Sequence, residues 1–162
     1  MSAPKGYSTL QIALHWLVAL IVVHQFVLHK GIETAWDAYK AGQAAPFSVL
    51  AGLHVAGGIL VLAFVLARIA MRLKRGAPEL PVEEPMVLRL AAHATHWGLY
   101  LLLIGLVGSG MAAWFGGVKL AASAHGTFKN LLMLLVGLHV AGALFQHFWL
   151  KSDVLRRMMR AG

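Results

Sequence analysis

Four apolar runs, at roughly residues 9–30, 47–72, 87–114 and 126–150, dominate the chain, and each matches or exceeds the ~20 residues an α-helix needs to cross a bilayer core of about 30 Å. With 59% hydrophobic and 12% charged residues in 162, and a mean hydropathy of +0.72, the chain cannot be a soluble domain with one core. The expected fold is an all-α membrane protein, an up-down four-helix transmembrane bundle forming one domain over residues 1–162. The first run follows a lysine as a secretory signal would, but its apolar stretch is longer than a usual signal core, so it reads as a retained helix.

The net charge of +8 raises nucleic acid as a partner until its distribution is followed. With the N-terminus inside, the inner cations are Lys5, Arg68, Arg72, Lys74, Arg75, Arg89, Lys151, Arg156, Arg157 and Arg160, and the outer ones Lys30, Lys40, Lys119 and Lys129. That asymmetry obeys the positive-inside rule with both termini cytoplasmic, and the excess charge serves topology and anionic lipid rather than nucleic acid. The proline-rich stretch from Arg75 to Pro85 reads as an inner link, and the outer loop from Gly31 to Pro46 can hold an interfacial helical turn carrying Trp36 and Tyr39.

Nine histidines in so apolar a chain are the chemical anomaly, because polar groups within a span are expensive and mark sites or pathways. His125 and His139 are fourteen residues apart, which returns the second imidazole to within about 40° of the first and lifts it about 21 Å along a helix. Neutral imidazole is a usual axial ligand of haem iron, and there is no cysteine for thiolate ligation or covalent haem attachment. A buried b-type haem near each membrane face follows.

His15 lies on the inner side of the first span and His54 on the outer side of the second. His15 and His125 start from opposite faces and cannot share one iron. Among the first, second and fourth spans this leaves His15 with His139 and His54 with His125, although depth alone also permits His54 with His139. His93 and His96, near the inner end of the third span, could replace an inner ligand. Their H-x-x-H spacing also suggests a metal site, yet no carboxylate or cysteine nearby completes one. Contacts to quinone or to haem propionates suit them better, as they suit His147 and Arg72. His24 lies about 180° around the helix from His15, and His29 and His147 fall near the membrane edges.

The hexapeptide Gly-Leu-His-Val-Ala-Gly occurs twice, at 52–57 and 137–142, on spans that run in the same direction. Small residues there admit either a flat macrocycle or a neighbouring helix. The chain has no nucleotide-binding loop, catalytic serine or carboxylate dyad, so any enzymology must come from bound cofactors.

In Gln11-Ile12-Ala13-Leu14-His15-Trp16, His54, Arg68 to Lys74, Ala92-His93 to His96, the His125 and His139 pair, and Lys151 to Met159, the chain resembles the bacterial four-helix cytochrome b561 family almost throughout. The resemblance implies two haem b groups, held by His15 with His139 on the inner side and His54 with His125 on the outer. It also implies exchange of electrons with ubiquinone and, in superoxide:ubiquinone oxidoreductases (superoxide oxidases) of the family, oxidation of superoxide on the periplasmic side. Where similar proteins can carry consecutive histidines after the last ligand, this chain has Gln146-His147. Lys119 and Lys129 are the candidates for steering superoxide. The other classes considered are a membrane cytochrome b subunit relaying electrons between a partner dehydrogenase or soluble donor and the quinone pool, and a haem-free structural or transport bundle, which the placement of the histidines disfavours.

Overall fold

A computed structural model describes residues 4, 6–44, 48–78 and 85–162. Lys5, the end of the outer loop and most of the proline-rich link lie outside the described residues. Among the described residues six helices follow in order: α1 (Thr9–Val27), α2 (Lys30–Lys40), α3 (Val49–Arg75), α4 (Met86–Gly116), α5 (Lys119–Phe148) and the short α6 (Val154–Arg157). Of these, α1, α3, α4 and α5 are long and apolar enough to cross a membrane.

Local chemistry sets the helix ends. Ser8 and Gln11 form a reciprocal capping box on α1: the Gln11 N–H donates to Ser8 Oγ at 3.3 Å and the Ser8 N–H donates to Gln11 Oε1 at 2.9 Å. Ser48 caps α3 by accepting the Ala51 N–H at 3.3 Å. Gly117, at φ +65°, closes α4 in the left-handed conformation that a side chain resists, so that it and Val118 donate to Ala113 O and Ala112 O.

The first and last spans differ most from those expected. The first span stops at Val27 rather than near 30, and a separate three-turn helix, α2, occupies most of the outer loop. Its Lys30–Glu33 and Lys40–Asp37 pairs, at 3.4 and 2.8 Å, stitch an otherwise polar segment into a helix. The last span begins at Lys119, seven residues before the apolar run, because Leu120, Ala121 and Ala122 continue the helix beyond the part that hydropathy detects. His125 therefore lies in the second turn of α5 instead of opening it.

The bundle is sequentially wound: α3 packs on α1 and α4, and α4 lies most closely of all against α5. Glycines permit that last approach, since a Cβ on Gly98 would meet Leu135 at 2.9 Å and one on Gly105 would meet Phe128 at 3.2 Å. Val18, Val61, Val65, Tyr100, Leu103, Val107 and Leu132 form the central core. Large apolar side chains such as Leu20, Leu73 and Leu101 face outward, as lipid rather than water requires.

The segment before α1 and the C-terminal residues sit at one end of the bundle, here the terminal end. There the Trp16 indole N–H donates to Met158 O at 2.9 Å, the Gly162 N–H to Tyr7 O at 3.2 Å and the Arg68 guanidinium to Gln11 O at 3.1 Å. The opposite end is closed by α2, which packs on α3. A Cβ on Gly117 would collide with the Tyr39 hydroxyl, so α2 also reaches the α4–α5 turn.

Candidate functional site

The helix that lies closest to α4 stands off from the other two spans. Among the described residues, α5 makes no backbone approach to α1 or α3 comparable with its contact on α4. Histidines face one another across that separation. His15 of α1 and His139 of α5 have ring centres 6.2 Å apart at an interplanar angle of 61°. His54 of α3 and His125 of α5 have ring centres 6.3 Å apart at 62°. The two pairs occupy opposite ends of the bundle, as the fourteen-residue spacing on α5 requires.

That distance has chemical meaning. A metal bound by two imidazoles lies about 2 Å from each ring nitrogen, and the nitrogen lies roughly 1 Å from its ring centre, so the two centres stand about 6 Å apart. Both pairs meet this distance. His96 does not: it packs edge-on against His139 with ring centres 5.1 Å apart, too close for a metal between opposed nitrogens, and its Nδ1–H donates to Ala92 O at 2.6 Å.

Space for a flat macrocycle accompanies the imidazoles. A Cβ on Gly142, one turn beyond His139, or on Gly126, beside His125, would meet nothing within 4 Å. At the α2 end a cavity of about 390 Å³ is lined by Gln25, His54, Val61, Gly110, His125 and Lys129, within the range of cofactor pockets. The repeated hexapeptide thus serves two purposes. Gly142 borders open space, whereas Gly57 receives a neighbouring side chain, with Gln25 Nε2 at 2.6 Å from where a Cβ would stand.

Orientation of one imidazole is fixed by the backbone of α4. His125 Nδ1 is 2.8 Å from Leu106 O, and a carbonyl only accepts, so Nδ1 carries the hydrogen and Nε2 is left with its lone pair. The approach depends on Gly110, where a Cβ would stand 3.0 Å from both Nδ1 and Cε1 of that ring.

The remaining candidates separate by end. At the terminal end the Arg72 guanidinium lies over the Trp97 ring at 5.9 Å and Arg68 over the Tyr100 ring at the same distance. His93 is exposed, one turn before His96. His147 packs against Phe148 with ring centres 4.9 Å apart, and its Nδ1 is buried with no hydrogen-bond partner. At the α2 end Lys129 lines the large cavity, while Lys119 joins Trp36 and Lys40 in a smaller cleft and is exposed. His29 also lines the large cavity, its Nδ1–H donating to Phe26 O at 2.7 Å and its Nε2 lying 3.3 Å from Glu33 Oε1. His24 contributes its backbone carbonyl to the end of α1.

Sequence reading missed Gln25, Leu106 and Gly110. Gln25 carried a signal, being an uncharged polar residue within an apolar span. Leu106 acts through a carbonyl and Gly110 through the side chain it lacks, and neither leaves a mark in composition.

Four membrane-length helices, with imidazoles paired across metal-sized gaps and room for a flat ring beside them, suit haem and define an electron-transfer membrane protein of the b-cytochrome class. A family model described as prokaryotic cytochrome b561 matches residues 6–161, and the chain belongs to that family, whose cofactor is haem b. It is accordingly a multi-pass bacterial membrane protein. Cytochrome b562 of Cereibacter sphaeroides is similar at 37% identity over 163 residues, covering 99% of each chain. A probable superoxide oxidase CybB of Yersinia pestis is 32% identical over 180 residues, covering 96% of each. Cytochrome b561 homolog 2 of Escherichia coli strain K12 is 32% identical over 183 residues, covering 98% of this chain and 93% of the relative.

Proposed function

We propose that the chain is a dihaem b cytochrome that moves single electrons across the membrane, oxidising superoxide at the α2 end and reducing ubiquinone. The observation that carries the dihaem reading is the near-equality of the two imidazole gaps, 6.2 and 6.3 Å, at opposite ends of the bundle. On this reading His15 with His139 and His54 with His125 would hold the two haems. Haem b would supply reversible one-electron chemistry there, and with both imidazoles of each pair engaged, electrons would enter and leave outer-sphere.

The chain's own groups shape that chemistry. The Leu106 carbonyl holds the His125 ring in the tautomer that leaves the Nε2 lone pair available to a metal. Lys129, at the α2-end cavity, attracts a small anion, with Lys119 extending the positive field over the neighbouring cleft. Two superoxide anions each lose one electron and leave as dioxygen. A ubiquinone that takes up the two electrons and two protons leaves as the quinol. His93, His96, His147 and Arg72 at the terminal end are the groups suited to hold quinone oxygens or haem propionates.

The sidedness follows from charge. Arg68, Arg72, Lys74, Arg75, Arg89, Lys151, Arg156, Arg157 and Arg160 belong to the terminal end, which makes it the cytoplasmic one and turns α2 to the periplasm. A superoxide donor is supported by the similarity to the Yersinia pestis protein and by the cations near the α2-end cavity.

Stopped-flow spectroscopy of the purified oxidised protein, mixed with superoxide in the presence and absence of ubiquinone, tests the reading. Rapid haem reduction, reversed only when quinone is present, is expected. Haem that ignores superoxide but is reduced by quinol or by a soluble partner would instead assign the chain to relay within a larger dehydrogenase.

A further inference from the structure

Gln25 follows His24 in α1, and its side chain crosses to α3. Its Nε2–H donates to His54 O at 2.6 Å, and since that carbonyl can only accept, the amide orientation is fixed with Oε1 turned elsewhere. The amide rests in the space left by Gly57, where a Cβ would meet Nε2 at 2.6 Å and Cδ at 3.1 Å. Gly57 lies three residues beyond His54 and shares its helix face. The Gln25 head group is therefore clamped between the backbone of His54 and the turn that follows it.

Two buried polar atoms in this neighbourhood have no partner: Oε1 of Gln25 and Nδ1 of His54. One is an acceptor, and the other is a donor when Nε2 keeps its lone pair. At the opposing ring the same need is met by the Leu106 carbonyl, which takes the Nδ1–H of His125. His54 has no such carbonyl, and buried donors and acceptors in natural structures are rarely left unmatched.

We propose that Gln25 is the positioning residue of His54, its Oε1 accepting the Nδ1–H directly after a small rotation of the amide or through one buried water. The assignment rests on His54 being an axial ligand, as proposed above. It gives the two imidazoles of the α2-end pair different supports, a fixed backbone carbonyl for His125 and a side-chain amide for His54. An acceptor on the distal N–H makes the ligating nitrogen more basic and favours the oxidised metal, so the strength of the acceptor at position 25 sets the potential of that haem.

The test is a spectroscopic redox titration of the purified, haem-loaded protein and of its Gln25→Leu and Gln25→Glu variants. Gln25→Leu removes the acceptor and is expected to raise the midpoint potential of one haem. Gln25→Glu strengthens the acceptor and is expected to lower the same potential, with the other haem unchanged in both variants. A role in helix packing alone would move both variants in one direction, and that result, or unchanged potentials, overturns the proposal. If Gln25→Leu does not fold, the direction of the shift in Gln25→Glu still decides. His54→Ala keeps the two readings apart. Two haems retained in that variant would sink the ligand assignment, and the role of Gln25 with it. One haem lost from His54→Ala alongside silent Gln25 variants would sink the role of Gln25 alone.

Discussion

His96 approaches His139 to 5.1 Å between ring centres, closer than the 6.2 Å between His15 and the same ring. His139 thus has two imidazole neighbours, and only the farther one stands at the distance of two nitrogens opposed across one metal. His96→Leu is expected to retain both haems, counted as the pyridine haemochromogen per chain, whereas His15→Ala is expected to lose one. Loss of a haem from His96→Leu would exchange the two assignments.

Gly110 is where α4 makes room for the His125 ring, with a Cβ reaching 3.0 Å from two of its atoms. Gly110→Val is expected to expel the haem at the α2 end while leaving the other bound. Gly110→Ala is expected to cost about 1–3 kcal/mol of stability through overpacking. Gly108→Ala, at a position with open space around it, serves as the control and leaves haem content unchanged without loss of stability.

Lys129 lines the α2-end cavity and Lys119 only the neighbouring cleft, so the two cations are unequal. Reversing Lys129 to Glu is expected to slow haem reduction by superoxide roughly tenfold at low ionic strength, with a smaller effect at Lys119. The difference shrinks as salt shortens the screening length to about 3 Å near 1 M. Rates that are the same in the wild type and in the double reversal at every salt concentration would remove both lysines from the path.

Tyr7, ahead of α1, is held at the terminal end where its carbonyl accepts the Gly162 N–H. Burial pushes its phenol above the ordinary value of 10.0, against the opposing field of Arg72. The folded state therefore holds this proton more tightly than the unfolded chain does. The stability it contributes is present in full below pH 10 and is lost as the pH rises through the folded value. Thermal unfolding of the detergent-solubilised protein between pH 8 and 11 is expected to show that loss, and Tyr7→Phe is expected to reduce it. Identical alkaline profiles would place the loss elsewhere.

Hydropathy and spacing made the four spans and the two histidine pairs legible, because both depend on periodicities that a helix imposes on sequence. The ends of the spans were harder. At α5 the first two turns run Lys119 to Gly126, a stretch that forms helix readily but is not continuously apolar, so the hydropathy signal starts late. At α2 the helix is held by pairs of opposite charge, which a search for apolar runs passes over. The choice of His15 over His96 as the partner of His139 rested on exclusion and on the family resemblance, because depth did not decide it. Both lie at similar depth, and about 1 Å of difference in ring separation is a property of how helices pack. The same holds for Gln25, whose partner is a backbone atom on another helix.

His125 and His139 share α5, and α5 is pressed against α4 along glycines that hold the pair together. On the proposed assignment each iron takes one ligand from this rod and its second from a different, separately placed helix. The tunnelling distance between the two redox centres is then gauged by a single covalent length of about 21 Å rather than by the looser spacing of the bundle. Breathing of α1 or α3 would alter the strength of one axial bond and leave that gauge untouched. Inserting one residue between Gly126 and Leu138 would swing the second imidazole by about 100° and break the circuit, however stable the bundle remained.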